Sequence, residues 1–259
     1  MDLELKGKII IVTGGSKGIG YGICERLVQE GAIPVIVGRN KKTILEAVEQ
    51  VSKKGASVGF ALAELTDPKQ CQEAVDTVRR QYGKIDGLVN NAGVNDSIGL
   101  ESGNHKAFMD SIQKNLTHYY LMAHHALPAL KIAKGSIVNI GSKTSFTGQG
   151  GTSGYAAANG GRNALTREWA VELLPYSIRV NAVIVAECYT PLYKKWIQTF
   201  SNPEKKLKEI TQNIPLGNRM TTAQEIGDTV AFLLSERSSH TTGQLIFVDG
   251  GYSHLDRSL

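Results

Sequence analysis

A glycine-rich turn directly after a β-branched run restricts this chain more than any other stretch of it. Ile9-Ile10-Ile11-Val12-Thr13 leads at once into Gly14-Gly15-Ser16-Lys17-Gly18-Ile19-Gly20, and a helical pattern then runs to Glu30. Strand, glycine turn and helix in that order bring bare backbone close to a ligand and aim amide donors from a helix N-terminus at it. The arrangement suits the pyrophosphate of a dinucleotide, and the strand-turn-helix context is what gives a glycine triplet meaning. A turn that serves packing alone is the competing explanation.

The same alternation continues to the end of the chain. Short β-branched runs lie at 8–13, 33–38, 57–62, 87–90, 136–140, 178–184 and 244–248. Helical patterns fall between them at 18–30 and near 41–54, 68–81, 105–132, 153–174 and 222–235. Seven strands joined by crossover helices predict an α/β fold with a doubly wound parallel sheet, the Rossmann fold, as a single domain over 1–259. The rhythm breaks at about 186–216, where Trp196, Phe200, two tyrosines and a lysine cluster are punctuated by Pro191, Pro203 and Pro215. This insertion is expected to form a lid over the crevice at the strands' carboxyl ends. A helix pair that only packs against the body is the alternative.

Composition excludes several functions. Apolar runs are far too short to cross a bilayer, and residues 1–6 hold no apolar stretch like that of a signal peptide. Cys24, Cys71 and Cys188 are widely spaced and odd in number, against a disulfide framework or zinc site and for a reducing cytoplasm. The formal charge of +5 is spread among acidic residues, as in Glu204-Lys205-Lys206-Leu207-Lys208-Glu209, so no nucleic-acid surface is expected. His124 and His125 are adjacent and point to different helix faces, which disfavours a metal site.

The end of the second strand bears on the choice of nucleotide. An acidic residue there would hydrogen-bond a ribose 2′-OH, and a basic one favours a 2′-phosphate. Gly38-Arg39-Asn40-Lys41-Lys42 carries no carboxylate, and Lys17 in the glycine loop can close on the same group. NADP is therefore favoured and NAD remains possible, with Arg39 stacked on adenine as the version that tolerates either.

Further along come Asn90-Asn91-Ala92-Gly93, Asn115, Ser142 and Tyr155-Ala-Ala-Ala-Asn159. With the glycine motif, this order resembles the short-chain dehydrogenase/reductase family over the whole chain. The resemblance implies that Tyr155 is the general acid/base, that Ser142 orients the reacting oxygen and that Asn115 holds a water in a proton relay. It also implies a lysine four residues after the tyrosine, where this chain has Asn159. The stretches 90–96, 147–155, 186–193 and 249–257 look, more narrowly, like the bacterial L-fucose dehydrogenases of that family. They imply oxidation of the anomeric hydroxyl of an aldose such as L-fucose to its lactone, and a homotetramer. Val185-Ala186 departs from the Pro-Gly of many members.

The expected nucleotide contacts are Gly14, Ser16, Lys17, Gly18, Ile19 and Gly20 in the first turn, then Arg39, Glu64 and Leu65. Asn91, Ala92, Gly93, Tyr155, Asn159 and Thr190 complete the set. Asn95, Asp96, Ser142, Gln149, Tyr155, Glu187 and Trp196 are the expected sugar contacts, since several amides and carboxylates suit a polyol better than a steroid or acyl chain.

Chemistry makes position 159 the weak point. Hydride leaves a carbinol carbon while its hydroxyl proton goes to a base, and a tyrosine has an ordinary pKa of about 10. A unit charge at about 5 Å and an effective dielectric near 20 is worth roughly 3 kcal/mol, or about two pKa units. Without it the proton step is expected to slow by roughly a hundredfold or more. Arg162 shares the helical stripe of Tyr155 and Asn159, and Lys143 adjoins Ser142. Either could supply the missing charge, though each reads first as a surface or subunit contact, and Asn159 is expected on an accessible helix face. A reductase of another small carbonyl compound and a non-catalytic nucleotide-binding protein are the competing functions.

Overall fold

A computed structural model describes residues 1–53 and 57–255. In chain order the elements are β1 Ile9–Thr13, α1 Gly18–Gln29, β2 Ile33–Gly38, α2 Lys41–Ser52, β3 Gly59–Leu62, α3 Pro68–Tyr82 and β4 Gly87–Asn90. Then follow α4 His105–Ile112, α5 His118–Ala133, β5 Ser136–Ser142, α6 Ser153–Glu172 and β6 Arg179–Val185. The last are α7 Pro191–Ile197, α8 Pro203–Thr211, α9 Ala223–Leu234 and β7 Leu245–Val248. Lys54, at the end of the second expected helix, and residues 256–257 of the 249–257 stretch lie outside the described residues.

All seven strands run parallel, in the order β3-β2-β1-β4-β5-β6-β7. β1 lies between β2 and β4, so the direction of winding reverses beside it and leaves a crevice at the strands' carboxyl ends. Every residue of β1 is buried, which is what a strand covered on both faces requires. Ile9 and Ile11 join Val75, Met122 and Trp169 under α3, α5 and α6. Ile10 and Val12 join Ile23, Leu27, Ile44 and Val230 under α1, α2 and α9. Each such side chain contributes roughly 1.5–3 kcal/mol by leaving water.

Helix boundaries follow from local chemistry. Asp67 caps α3 by accepting from the amides of Lys69 and Gln70, with Pro68 at the first position and a left-handed Gly83 after the end. Thr222 and Glu225 form a reciprocal capping box on α9.

Two expected elements differ. The strand expected from Ser57 begins at Gly59. The helix expected over 105–132 is two helices joined by a π turn at Gln113–Thr117. Within that turn the Asn115 side chain accepts from the Val94 amide at 2.7 Å and donates to the Ser111 carbonyl at 3.0 Å. Two carbonyls of the turn take side-chain partners, Lys114 from His118 Nε2 at 3.0 Å and Asn115 from Arg162 Nε at 2.7 Å. Single π turns recur at functional sites because they re-aim such groups.

The 186–216 insertion contains the short helices α7 and α8. An edge-to-face series, Tyr193–Trp196–Phe200, holds it together. Its base is anchored by the Thr221 amide on the Glu187 carbonyl and by the Leu216 amide on the Gly250 carbonyl, each at 3.0 Å.

Candidate active site

The first turn forms an open cradle. Gly14 and Gly18 have φ of +67° and +57°, a region that side-chain-bearing residues enter only under strain. Lys17 occupies the N-cap of α1 without a capping side-chain hydrogen bond, so the first amides of the helix are left for an anion. Thr13 and Asn91 pin the loop from beneath. Thr13 Oγ1 accepts from the amides of Asn91 and Ala92 at 2.9 and 3.1 Å, and Asn91 Nδ2 donates to the Thr13 carbonyl at 2.9 Å. A Cβ at Gly18 would stand 3.2 Å from the Thr190 side chain, so the segment that enters α7 starts against the glycine loop. Uncapped helix, left-handed glycines and a bare approach from Ala92-Gly93 fit a dinucleotide pyrophosphate.

At the end of β2 a carboxylate from outside the 38–42 stretch, that of the expected contact Glu64, joins Arg39. Arg39 Nη1 lies 3.0 Å from Glu64 Oε2, and the Arg39 side chain is otherwise open to solvent. Partial burial would raise the Glu64 carboxyl, but hydrogen bonds from Arg39 and Thr66 outweigh it and hold the group below its usual range. A 2′-phosphate at Arg39 would meet this carboxylate.

Ser142 ends β5 and caps the turn after it, with its Oγ accepting from the Thr144 amide and hydroxyl at 3.3 and 3.1 Å. Tyr155 stands half-buried in the first turns of α6. That helix is tied to the Ser142 turn through Asn163 Nδ2, which donates to Ser145 Oγ at 2.8 Å. Asn159 was expected on an accessible face, and the structure places it at 0% exposure. Its Nδ2 donates to the Tyr155 carbonyl at 2.9 Å and its Oδ1 accepts from Arg162 Nη1 at 3.0 Å.

Arg162 and Lys143 were both expected at the surface, and both are buried. Arg162 lies i+7 from Tyr155, and long helical side chains lean toward the helix N-terminus, so its guanidinium folds back over Asn159. It donates to the carbonyls of Asn115 and Ile140, stacks 4.2 Å from the Tyr119 ring and lies 5.9 Å from the Tyr155 ring centroid. Lys143 points the other way, into an ion pair with Glu187 at the end of β6, and its Nζ lies 3.9 Å over the Tyr252 ring. Burial and the nearby Glu187 carboxylate both push the Tyr193 phenol up.

Of the other expected sugar contacts, Asp96 accepts from Ser111 Oγ at 2.8 Å, and Asn95 is exposed with its Oδ1 on the Ser97 amide at 3.2 Å. Gln149 is exposed, and Trp196 is 44% exposed on α7. Lys143 and Tyr193 were missed as partners of Glu187, and Tyr252 as the ring beneath Lys143 Nζ. Periodicity links Arg162 to Tyr155, but nothing local in the sequence links Lys143 to Glu187 across two strands. Among the described residues no group of three metal-ligating side chains occurs, and no helix is long and apolar enough to cross a membrane.

A dinucleotide cradle at the winding reversal, with a serine at the end of β5 and a tyrosine on the helix that follows it, defines an NAD(P)-dependent oxidoreductase. The chain belongs to the short-chain dehydrogenase/reductase family: residues 14–253 match the family model described as enoyl-(acyl carrier protein) reductase. It is 34% identical to the 3-oxoacyl-[acyl-carrier-protein] reductase FabG of Thermotoga maritima, covering 96% of this chain and 99% of that one. It is 31% identical to the L-fucose dehydrogenase of Bos taurus, over 97% of this chain and 91% of that one. The crystal structure of Cj0485 dehydrogenase superposes with a TM-score of 0.94 at 46% identity, covering 100% and 99% of the two chains.

Proposed function

We propose that this chain oxidises the anomeric hydroxyl of an aldose such as L-fucose to its lactone. The observation that carries the reading is the buried Lys143–Glu187 pair beside Ser142. A charged, hydrogen-bonding wall suits a polyol, whereas an acyl or steroid pocket would be lined mainly by apolar groups. The L-fucose dehydrogenases among the relatives support the same substrate class.

Tyr155 is the general base, taking the hydroxyl proton, and Ser142 donates a hydrogen bond to the oxygen as charge develops on it. Asn115 holds the π turn against Val94 and so sets the floor of the site. Gly14, Ser16, Lys17, Gly18, Ile19, Gly20, Asn91, Ala92, Gly93 and Thr190 would hold the nucleotide. When bound, the nicotinamide would supply the acceptor for hydride from the carbinol carbon. For the nucleotide, Lys17 and Arg39 favour NADP, and the Arg39–Glu64 pair favours NAD by opposing a second anion. The segment carrying α7 and α8 closes over the sugar.

The test is nucleotide reduction over a panel of aldoses, with a hydroxysteroid and a 3-hydroxyacyl thioester as comparators. The expected result is highest kcat/KM on an aldose. Preference for either comparator over every aldose overturns the reading.

A further inference from the structure

Tyrosine is a useful base near neutral pH only beside a positive charge, and position 159 supplies none. Two cations lie buried near Tyr155 and Ser142. Lys143 is neutralised by Glu187. Arg162 is 3% exposed and, among the described residues, has no carboxylate within ion-pair distance. Its Nε and Nη1 are held by the carbonyls of Asn115 and Ile140 and by Asn159 Oδ1, while its Nη2 is buried without any partner. A Cβ at Gly93 would stand 2.9 Å from that Nη2, so the guanidinium reaches the backbone bordering the nucleotide cradle. An unpaired buried charge is strongly unfavourable unless an anion forms beside it.

We propose that Arg162 is the positioning residue that supplies the positive charge for the Tyr155 phenolate, with Asn159 holding the guanidinium in place. This rests on Tyr155 being the base of the oxidation. The substrate hydroxyl proton passes to the phenolate oxygen, and the guanidinium keeps all its protons, as arginine does in proteins. The loop after β4 brings the Gly93 backbone against the guanidinium. The π turn and β5 present main-chain carbonyls, and α6 presents Asn159 and Tyr155. From α5, burial and then the Arg162 charge press His118 down to about 3, while burial drives the Tyr119 phenol up against the pull of Arg162.

On this proposal the site is not disabled. Asn159→Lys would place a second buried cation against Arg162 and bring no large gain in turnover.

The experiment is a base titration of the nucleotide-free protein, read by tyrosinate absorbance, with Tyr155→Phe subtracted to isolate Tyr155. It is paired with pH profiles of kcat for oxidation. The Arg162 Cζ lies 5.9 Å from the Tyr155 ring centroid. For a charge separation on the order of 5–6 Å at an effective dielectric near 20, loss of the charge in Arg162→Met should raise the Tyr155 midpoint by about two pH units. The acidic limb of the kcat profile should move up equally, and turnover at neutral pH should fall roughly a hundredfold. Arg162→Lys should shift the midpoint less than Arg162→Met, and Asn159→Lys/Arg162→Met should bring it back toward the parent value.

Circular dichroism checks that each variant folds. A folded Arg162→Met protein with an unmoved midpoint overturns the proposal. So does a hundredfold rise from Asn159→Lys alone. If Arg162→Met does not fold, the double variant decides: a parent-like midpoint supports the proposal, and one about two units high overturns it. The titration needs no substrate, so failure of every aldose to react would sink the sugar reading alone.

Discussion

Arg162 Nε donates to the main-chain carbonyl of Asn115 at 2.7 Å across 47 residues of sequence, joining α6 to the π turn between α4 and α5. Asn115 in turn accepts from the Val94 amide, so the loop after β4, the widened helix and the guanidinium form one connected group. Four further expectations follow from the site and its surroundings.

The Arg39–Glu64 pair makes nucleotide choice adjustable. Glu64→Gln frees Arg39 for a 2′-phosphate and should raise affinity for NADP over NAD several-fold, since charge-assisted contacts to phosphate are among the stronger hydrogen bonds. Arg39→Asp should reverse the preference. Titration of both nucleotides into the three proteins checks this, and identical affinities throughout would contradict it.

Lys143 and Glu187 side chains are only 9% and 14% exposed. Breaking the pair from one side strands a buried charge, so Lys143→Met or Glu187→Gln should each lower stability by about 3–5 kcal/mol. Lys143→Met/Glu187→Leu should recover most of that loss. Urea unfolding of the four proteins measures it, and additive losses in the double variant would count against a coupled pair.

His118 gives the stability a pH dependence. Burial first, and the Arg162 charge second, lower its pKa to about 3 from an ordinary 6.5. The unfolded chain therefore takes up a proton below pH 6.5 that the folded protein refuses, and stability falls as pH drops from there toward 3. The slope from this group is about 1.4 kcal/mol per pH unit. Above 6.5 the group contributes no slope. Unfolding free energies for the parent and His118→Gln should diverge across that window, and parallel curves would remove His118 from the account.

Sugar hydroxyls that meet buried polar partners cannot be removed without penalty. Deoxy analogues of the best aldose should bind more weakly by about 1–3 kcal/mol for each matched position. Inhibition constants for the deoxy series supply the measurement. Equal affinity at every position would mean that Glu187 and its neighbours do not read hydroxyls.

Much of this protein was legible before any coordinates. Ile33–Gly38 and Gly87–Asn90 fall where their β-branched patterns put them, and the glycine turn stands between a strand and a helix as its residues require. Local chemistry decides such elements: periodicity marks burial on two faces, and glycine marks the turns. The family also followed from motifs that are short and local. The break at Gln113–Thr117 did not, because a π turn is held by partners such as Val94 and Arg162 that are remote in sequence.

The sequence by itself determined the doubly wound sheet, the glycine cradle after its first strand and the candidacy of Ser142, Tyr155 and Asn115. It also showed that position 159 carries no charge. Only the tertiary structure showed a buried cation near Tyr155. Helical spacing put Arg162 on the right stripe, but a stripe exposed to water and a stripe pressed against β5 look alike in one dimension. Burial turned Arg162 from an ordinary surface cation into an uncompensated charge beside Tyr155. Strand order likewise brought Lys143 and Glu187 together from the ends of β5 and β6. Both outcomes depend on which backbone segments share a low-dielectric interior, and chain folding sets that over distances that sequence neighbours do not span.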